Sequence, residues 1–134
     1  MIKLSDYVAR FVRDQGVEHV FLLPGGGNMH LADSLGKCPG LQFVCNLQEQ
    51  ACAMAAVAYG DLRNDLGVCA VTTGPGGTNT VTGVALAWVE SVSLLCISGQ
   101  AKRSDLLLGR GVRTMGQQEI DIVSIVRPIT KYAV

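Results

Sequence analysis

Four short apolar runs, "EHVFLL" (18–23), "LQFVC" (41–45), "GVCAVTT" (67–73) and "VSLLCIS" (92–98), are separated by segments long enough to be helices. That alternation restricts the fold more than any other feature of the chain. Runs that are apolar almost throughout belong to strands covered on both faces, and helices between them act as crossovers of a parallel sheet. The fold class is therefore α/β, with helices on both faces of a parallel sheet. Between the strands, the spacing predicts helices over 5–15, 29–36, 48–63 and 80–91. Ser5 would cap the first helix and Gly16 would end it. Residues 99–117 have weak periodicity and read as a loop, "QEIDIVSIV" (118–126) as a helix closed by Pro128, and "ITKYAV" (129–134) as the start of another strand. With 134 residues, the chain forms one domain or a portion of one. Its last strand has no helix after it to cover it, which favours a portion.

Composition narrows the partners. Eleven basic residues balance eleven acidic ones, so no nucleic-acid surface or acidic tail is indicated, and a small neutral partner fits better. The N-terminus lacks the continuous apolar core of a signal peptide, and the longest apolar stretch is broken by Glu90 and serines, so no membrane segment is expected. Cys38, Cys45, Cys52, Cys69 and Cys96 form no CxxC pair and lie in apolar runs, which reads as buried thiols in a reducing cytosol and implies a cytoplasmic location.

In open α/β sheets, ligands bind beyond the carboxyl ends of the strands, where "PGGGN" (24–28) and "GPGGTN" (74–79) fall. A dinucleotide fingerprint needs a third glycine where His30 stands, and a Walker loop needs a lysine that neither loop has. Phosphate binding is thus weakly supported. Glycine also serves tight turns and lets a flat ring lie on bare backbone, and Pro24 and Pro75 stiffen the two loops. A third strand end carries Glu49, the only carboxylate between Asp33 and Asp61. Asn46 and Glu49 have the spacing of a capping box, which is a sufficient local reason for Glu49.

The segments "GVEHVFLLPGGGNMHLADSL", "NLQEQACAMAAVAYG", "TTGPGGTNTVTGVALAWVESVSLLCISGQ" and "MGQQEIDIVSIVRPITKY", in this order and spacing, resemble the N-terminal pyrimidine-binding domain of thiamine-diphosphate enzymes, in the acetolactate synthase-like branch. The resemblance implies a thiamine-diphosphate-binding fold over residues 1–134, incomplete at its C-terminus. It implies that Glu49 hydrogen-bonds N1′ of the cofactor's aminopyrimidine and favours the imino tautomer, whose 4′ nitrogen takes the C2 proton of the thiazolium. The cofactor is then the electron sink for decarboxylation of a 2-keto acid such as pyruvate. Burial would raise the Glu49 pKa and a helix N-terminus would lower it. Pro24 and Gly25 match the loop lining the cofactor ring, Pro75 and Asn79 match contacts of the second loop, Thr72 either ends its strand or contacts the cofactor, and Gln118 matches a glutamine on the substrate side or is a polar residue at a helix start. Asn79 has the alternative role of capping the next helix.

Two departures bear on the substrate. Acetolactate synthases commonly have His-Glu-Gln where this chain has Gln48-Glu49-Gln50, and phenylalanine where it has Gln117. The resemblance therefore leaves the acceptor open, including a relative that only decarboxylates. The family's magnesium and diphosphate motif is missing, since "YGDLRND" (59–65) has Leu62 in place of the second glycine, so no metal ligands are assigned. The branch also leaves FAD open, and nothing in the sequence supports it. The resemblance implies a diphosphate domain on another chain or elsewhere in the full-length protein, and hence a homodimer or tetramer. The expected role is the pyrimidine-binding portion of a decarboxylating carboligase. The alternatives are a subunit of a split enzyme and a non-catalytic small-ligand or interaction module of the same fold.

Overall fold

The computed structural model describes residues 1–107 and 109–134. The elements run α1 (Leu4–Asp14), β1 (His19–Leu22), α2 (Met29–Lys37), β2 (Gln42–Cys45), α3 (Glu49–Arg63), β3 (Gly67–Val71), α4 (Pro75–Thr78), α5 (Val81–Glu90), β4 (Leu94–Ser98) and α6 (Ile122–Val126). Single 3-10 turns lie at Arg103–Asp105 and Arg127–Ile129. The four strands form one all-parallel sheet, as the sequence pattern predicts, in the order β2-β1-β3-β4.

Alternation along each strand divides the core between two faces. Val20 and Leu22 of β1 and Val68 and Ala70 of β3 pack with Ala9, Val12 and Leu35 of α1 and α2. Cys69 and Val71 of β3, with Phe21 and Cys96 against them, pack instead on Cys52, Ala53 and Ala56 of α3. The small residues of α3 have the expected use. A Cβ at Gly83 of α5 would overlap the Cβ of Ala53, so the two helices are in close backbone contact.

Several local expectations are corrected. Helix α1 begins at Leu4 after Lys3, and Ser5 does not cap it; its hydroxyl accepts from Ser34 Oγ at 2.9 Å. Gly16, with φ 86°, does end the helix, its N–H donating to the Arg13 carbonyl. Strand β2 is exposed along its whole length, because it lies at the sheet edge, so Cys45 is exposed rather than buried. "GPGGTN" contains the single helical turn α4 rather than an open loop. The helix expected over 118–126 starts only at Ile122, because Gln118 takes a left-handed φ of 57° and Asp121 caps through Ser124 N at 3.0 Å. "ITKYAV" is not a strand. It borders a groove beside β4 without pairing with that strand, and an unpaired segment gains no ladder hydrogen bonds.

Candidate functional site

The strand order puts β2 on one side of β1 and β3 on the other, so the chain reverses direction across the sheet between β1 and β3. The loops that follow these two strands diverge there and leave a crevice at their carboxyl ends. Helix α3 returns from β2 across β1 to β3, which brings its first residue, Glu49, to the same end of the sheet.

The loop after β1 is fixed by a residue that the sequence reading passed over. Asn28 is buried, accepts from Gly25 N through Oδ1 at 2.7 Å, and donates to the Leu23 carbonyl through Nδ2 at 3.1 Å. Its position just ahead of α2 was the available signal, yet the side chain turns back into the loop instead of capping the helix. Gly27 N donates to Thr72 Oγ1 at 3.1 Å, which ties the first glycine loop to the segment after β3. Ser98 Oγ in turn donates to the Thr72 carbonyl at 3.2 Å.

Bare backbone is required where these loops meet. A Cβ on Gly25 would lie 2.6 Å from Thr72 Cβ, and one on Gly76 would lie 2.7 Å from Thr72 Cγ2 and 3.6 Å from Glu49 Oε1. Gly74 has φ 61°, and a Cβ there would overlap the Gln118 carbonyl, so the 116–119 turn is seated directly on the second glycine loop.

Glu49 stands beside this ledge, half-buried at the first position of α3. The expected capping box is absent, because α3 is capped by Gln48, whose Oε1 accepts from Ala51 N at 3.0 Å. Asn46 Oδ1 is buried without a hydrogen-bond partner. Freed from capping, Glu49 Oε2 accepts from Asn79 Nδ2 at 2.9 Å, and among the described residues Oε1 accepts no hydrogen bond. Asn79 does not cap α5, which follows Thr80 without a side-chain cap. The carboxylate is thus held by one oxygen while the other faces the backbone of Gly76.

Of the residues singled out in the sequence, the fold brings Gly25, Glu49, Thr72 and Asn79 into one connected group, with Gln118 adjoining through Gly74. Pro75 contributes its carbonyl, which accepts from Asn79 N at 2.9 Å and from Thr78 Oγ1 at 3.2 Å, and so sets the turn that presents Asn79. Pro24 is exposed and enters only as the neighbour of Gly25. Glu119, unrecognised in the sequence, organises the preceding loop: its carboxylate accepts from Leu107 N at 2.7 Å, Gly116 N at 3.0 Å and Met115 N at 3.3 Å. The Leu107 and Gly116 amides lead in holding its pKa below the ordinary carboxylate value.

A groove of about 970 Å³ runs along the outer edge of β4, and a cleft of about 500 Å³ lies between the starts of α1 and α2 and the end of β4. Neither is lined by Glu49, which is half-buried. Among the described residues, no group of three or more His, Cys, Asp or Glu is placed to hold a metal ion, and no helix is long and apolar enough to cross a membrane. The arrangement suits a flat heteroaromatic ring with a basic nitrogen. The two glycine loops close tightly over Thr72, and the free carboxylate oxygen beside them offers a hydrogen-bond acceptor.

Comparison with known proteins identifies the family. The family described as "Thiamine pyrophosphate enzyme, N-terminal TPP binding domain" matches residues 2–125. The acetolactate synthase large subunit of Buchnera aphidicola subsp. Acyrthosiphon pisum is 36% identical over 129 residues, covering 96% of this chain and 22% of that protein. Acetolactate synthase isozyme 3 large subunit of Escherichia coli is 37% identical over 133 residues, 99% of this chain and 22% of its own. Chloroplastic acetolactate synthase of Arabidopsis thaliana is 37% identical over 130 residues, 97% and 18% respectively. The chain spans about a fifth of the length of these relatives.

Proposed function

Because the chain belongs to the thiamine pyrophosphate enzymes, as their N-terminal TPP binding domain, we propose that it is the pyrimidine-binding portion of an acetolactate synthase-like carboligase that decarboxylates a 2-keto acid. The observation that carries this reading is the state of Glu49: one oxygen held by Asn79 at 2.9 Å and the other facing the Gly76 backbone. When bound, thiamine diphosphate supplies the electron sink for decarboxylation. Glu49 Oε1 holds or moves a proton at the ring nitrogen of its aminopyrimidine. Asn79 keeps the carboxylate from rotating away, and the backbone of Gly25 and Gly76, backed by Thr72, supports the ring. Pro24 and Pro75 stiffen these supports.

The same reading puts Gln118 on the substrate side, held there by the contact of its backbone with Gly74. Since Glu49 is only half-buried, a second surface must exclude water from it. We assign this to a diphosphate-binding domain, either in the full-length protein or on another chain, which also holds the magnesium ion. A homodimer or tetramer follows, and the free cysteines suit a reducing, cytoplasmic location.

The test is Glu49→Gln in the full-length protein with thiamine diphosphate and magnesium. The substitution keeps the shape and an acceptor for Asn79 but removes the exchangeable carboxyl proton. Pyruvate turnover is expected to fall by about 10² to 10⁴-fold, the usual worth of a positioned acid–base group. An unchanged rate overturns the proposed role of Glu49.

A further inference from the structure

The core face between the sheet and α3 contains thiols that the proposed reaction does not use. Strands β3 and β4 pair in register with Cys69 opposite Cys96, and both side chains point toward α3. Neighbouring strands are separated by about 4.8 Å, which is within the Cα span of about 4.4 to 6.8 Å that a disulfide bridges. The two cysteines differ in access. Cys69 is fully buried, whereas Cys96 is partly exposed and lines the 970 Å³ groove along β4.

The Cys96 sulfur also has a partner at the start of α5. Cys96 Sγ donates to Thr80 Oγ1 at 3.5 Å, and Thr80 Oγ1 donates to the Gly77 carbonyl at 2.7 Å. The neighbouring Cys69 thiol lowers the Cys96 pKa, and the Cys96 thiol together with burial raises that of Cys69. A groove-lining cysteine that is easier to ionise, opposite a buried thiol on the next strand, is the arrangement of an attacking and a resolving cysteine.

We propose that Cys96 is a hydroperoxide-reactive thiol resolved by Cys69. Cys96 releases its proton to water in the groove, and its sulfur attacks one oxygen of the hydroperoxide. The O–O bond breaks, leaving a sulfenic acid on Cys96 and an alkoxide or hydroxide that takes up the proton. The sulfur of Cys69 then displaces the sulfenyl hydroxyl, which leaves as water with the Cys69 proton, and the S–S bond forms. The two thiols are oxidised and the peroxide is reduced. The bridge would tie β3 to β4 beneath Thr72 and Ser98, the pair that joins the second glycine loop to the end of β4. Cys52, whose thiol is pushed up to about 11 by burial, should remain unreactive.

The test uses the chain with Cys45→Ser, which removes the exposed thiol on the edge strand. The folded protein is treated with hydrogen peroxide, alkylated after denaturation, digested and analysed by mass spectrometry. The expected product is a Cys69–Cys96 cross-linked peptide that dithiothreitol releases. With Cys69→Ser added, a dimedone-reactive sulfenic acid should accumulate at Cys96 and pass on to sulfinic acid. With Cys96→Ser added, Cys69 should stay reduced. Without peroxide, Cys96 should be alkylated at least about tenfold faster than Cys52. Recovery of both Cys69 and Cys96 as free thiols overturns the proposal, as does a bridge between any other pair. If either added serine prevents folding, the cross-linked peptide from the Cys45→Ser chain decides the question alone.

Discussion

Two adjacent glycines of the first loop should respond in opposite ways to the same added methyl group. A Cβ at Gly26 meets nothing within 4 Å, whereas one at Gly27 would overlap Thr73 Oγ1 and lie 2.9 Å from Thr73 Cβ. Neither glycine has positive φ, so alanine at either position carries no left-handed backbone penalty, and the comparison isolates packing. Thr73 is buried at 4% exposure and has little room to retreat. Forcing a methyl group into such a contact costs about 1 to 3 kcal/mol. Displacing the loop also weakens the bond from Gly27 N to Thr72 Oγ1, worth about 0.5 to 1.5 kcal/mol. Gly27→Ala should therefore destabilise the chain by about 2 to 4 kcal/mol and lower its Tm by roughly 10 °C. Gly26→Ala should change stability by no more than about 0.5 to 1 kcal/mol, in the stabilising direction, through loss of unfolded-state entropy. Thermal and urea unfolding followed by circular dichroism measures both. A Thr73→Ala partner completes a double-mutant cycle, in which removing Oγ1 should recover part of the Gly27→Ala loss through a coupling of about 0.5 to 3 kcal/mol. Equal melting of the two alanine variants, or a cycle without coupling, would refute the packing argument.

Other outcomes follow from the same contacts. Asn79→Ala in the full-length protein should lower turnover less than Glu49→Gln, by about tenfold for one hydrogen bond to a charged group, and Asn79→Gln should restore part of it; steady-state kinetics across pH measures both. Gly74→Ala combines a left-handed φ with a collision at the Gln118 carbonyl, so the 116–119 turn should detach, read as faster proteolysis within residues 99–119. The Glu119 pKa is lowered on folding, so its contribution is fully present above the unfolded value of about 4.3 and is lost as pH falls through the lower folded value. Amide exchange at Leu107 and Gly116 should accelerate over that acid range, and Glu119→Gln should remove the pH dependence.

Much of the architecture is legible in the residues because it depends on short-range pattern. Apolar runs such as "HVFLL" and "GVCAV" identify themselves as strands covered on both faces, and the alanine-rich segment after Glu49 identifies a helix that must pack closely. The exceptions have tertiary causes. "LQFVC" is as apolar as its neighbours, yet β2 is exposed because strand order, which is a non-local property, puts it at the edge. "ITKYAV" has strand composition but no ladder partner among the described residues, and composition cannot supply one.

For the site, the sequence by itself determined the chemistry: glycine-rich loops at two strand ends, a lone glutamate at a third, and four segments in the order of a known family. What only the tertiary structure decided is how those groups are used. Locally, Asn46 and Glu49 satisfy a capping box and Asn79 satisfies a helix cap, because helix-capping preferences extend over only a few residues. In the fold, Gln48 takes the cap, and Glu49 and Asn79 are free to bond each other across 30 residues of chain. The same holds for Cys69 and Cys96, unremarkable in the sequence and made neighbours by the register of β3 and β4. Residue type fixes which reactions are available to a side chain, whereas its partner and its exposure depend on contacts between distant segments, which only the folded sheet brings together.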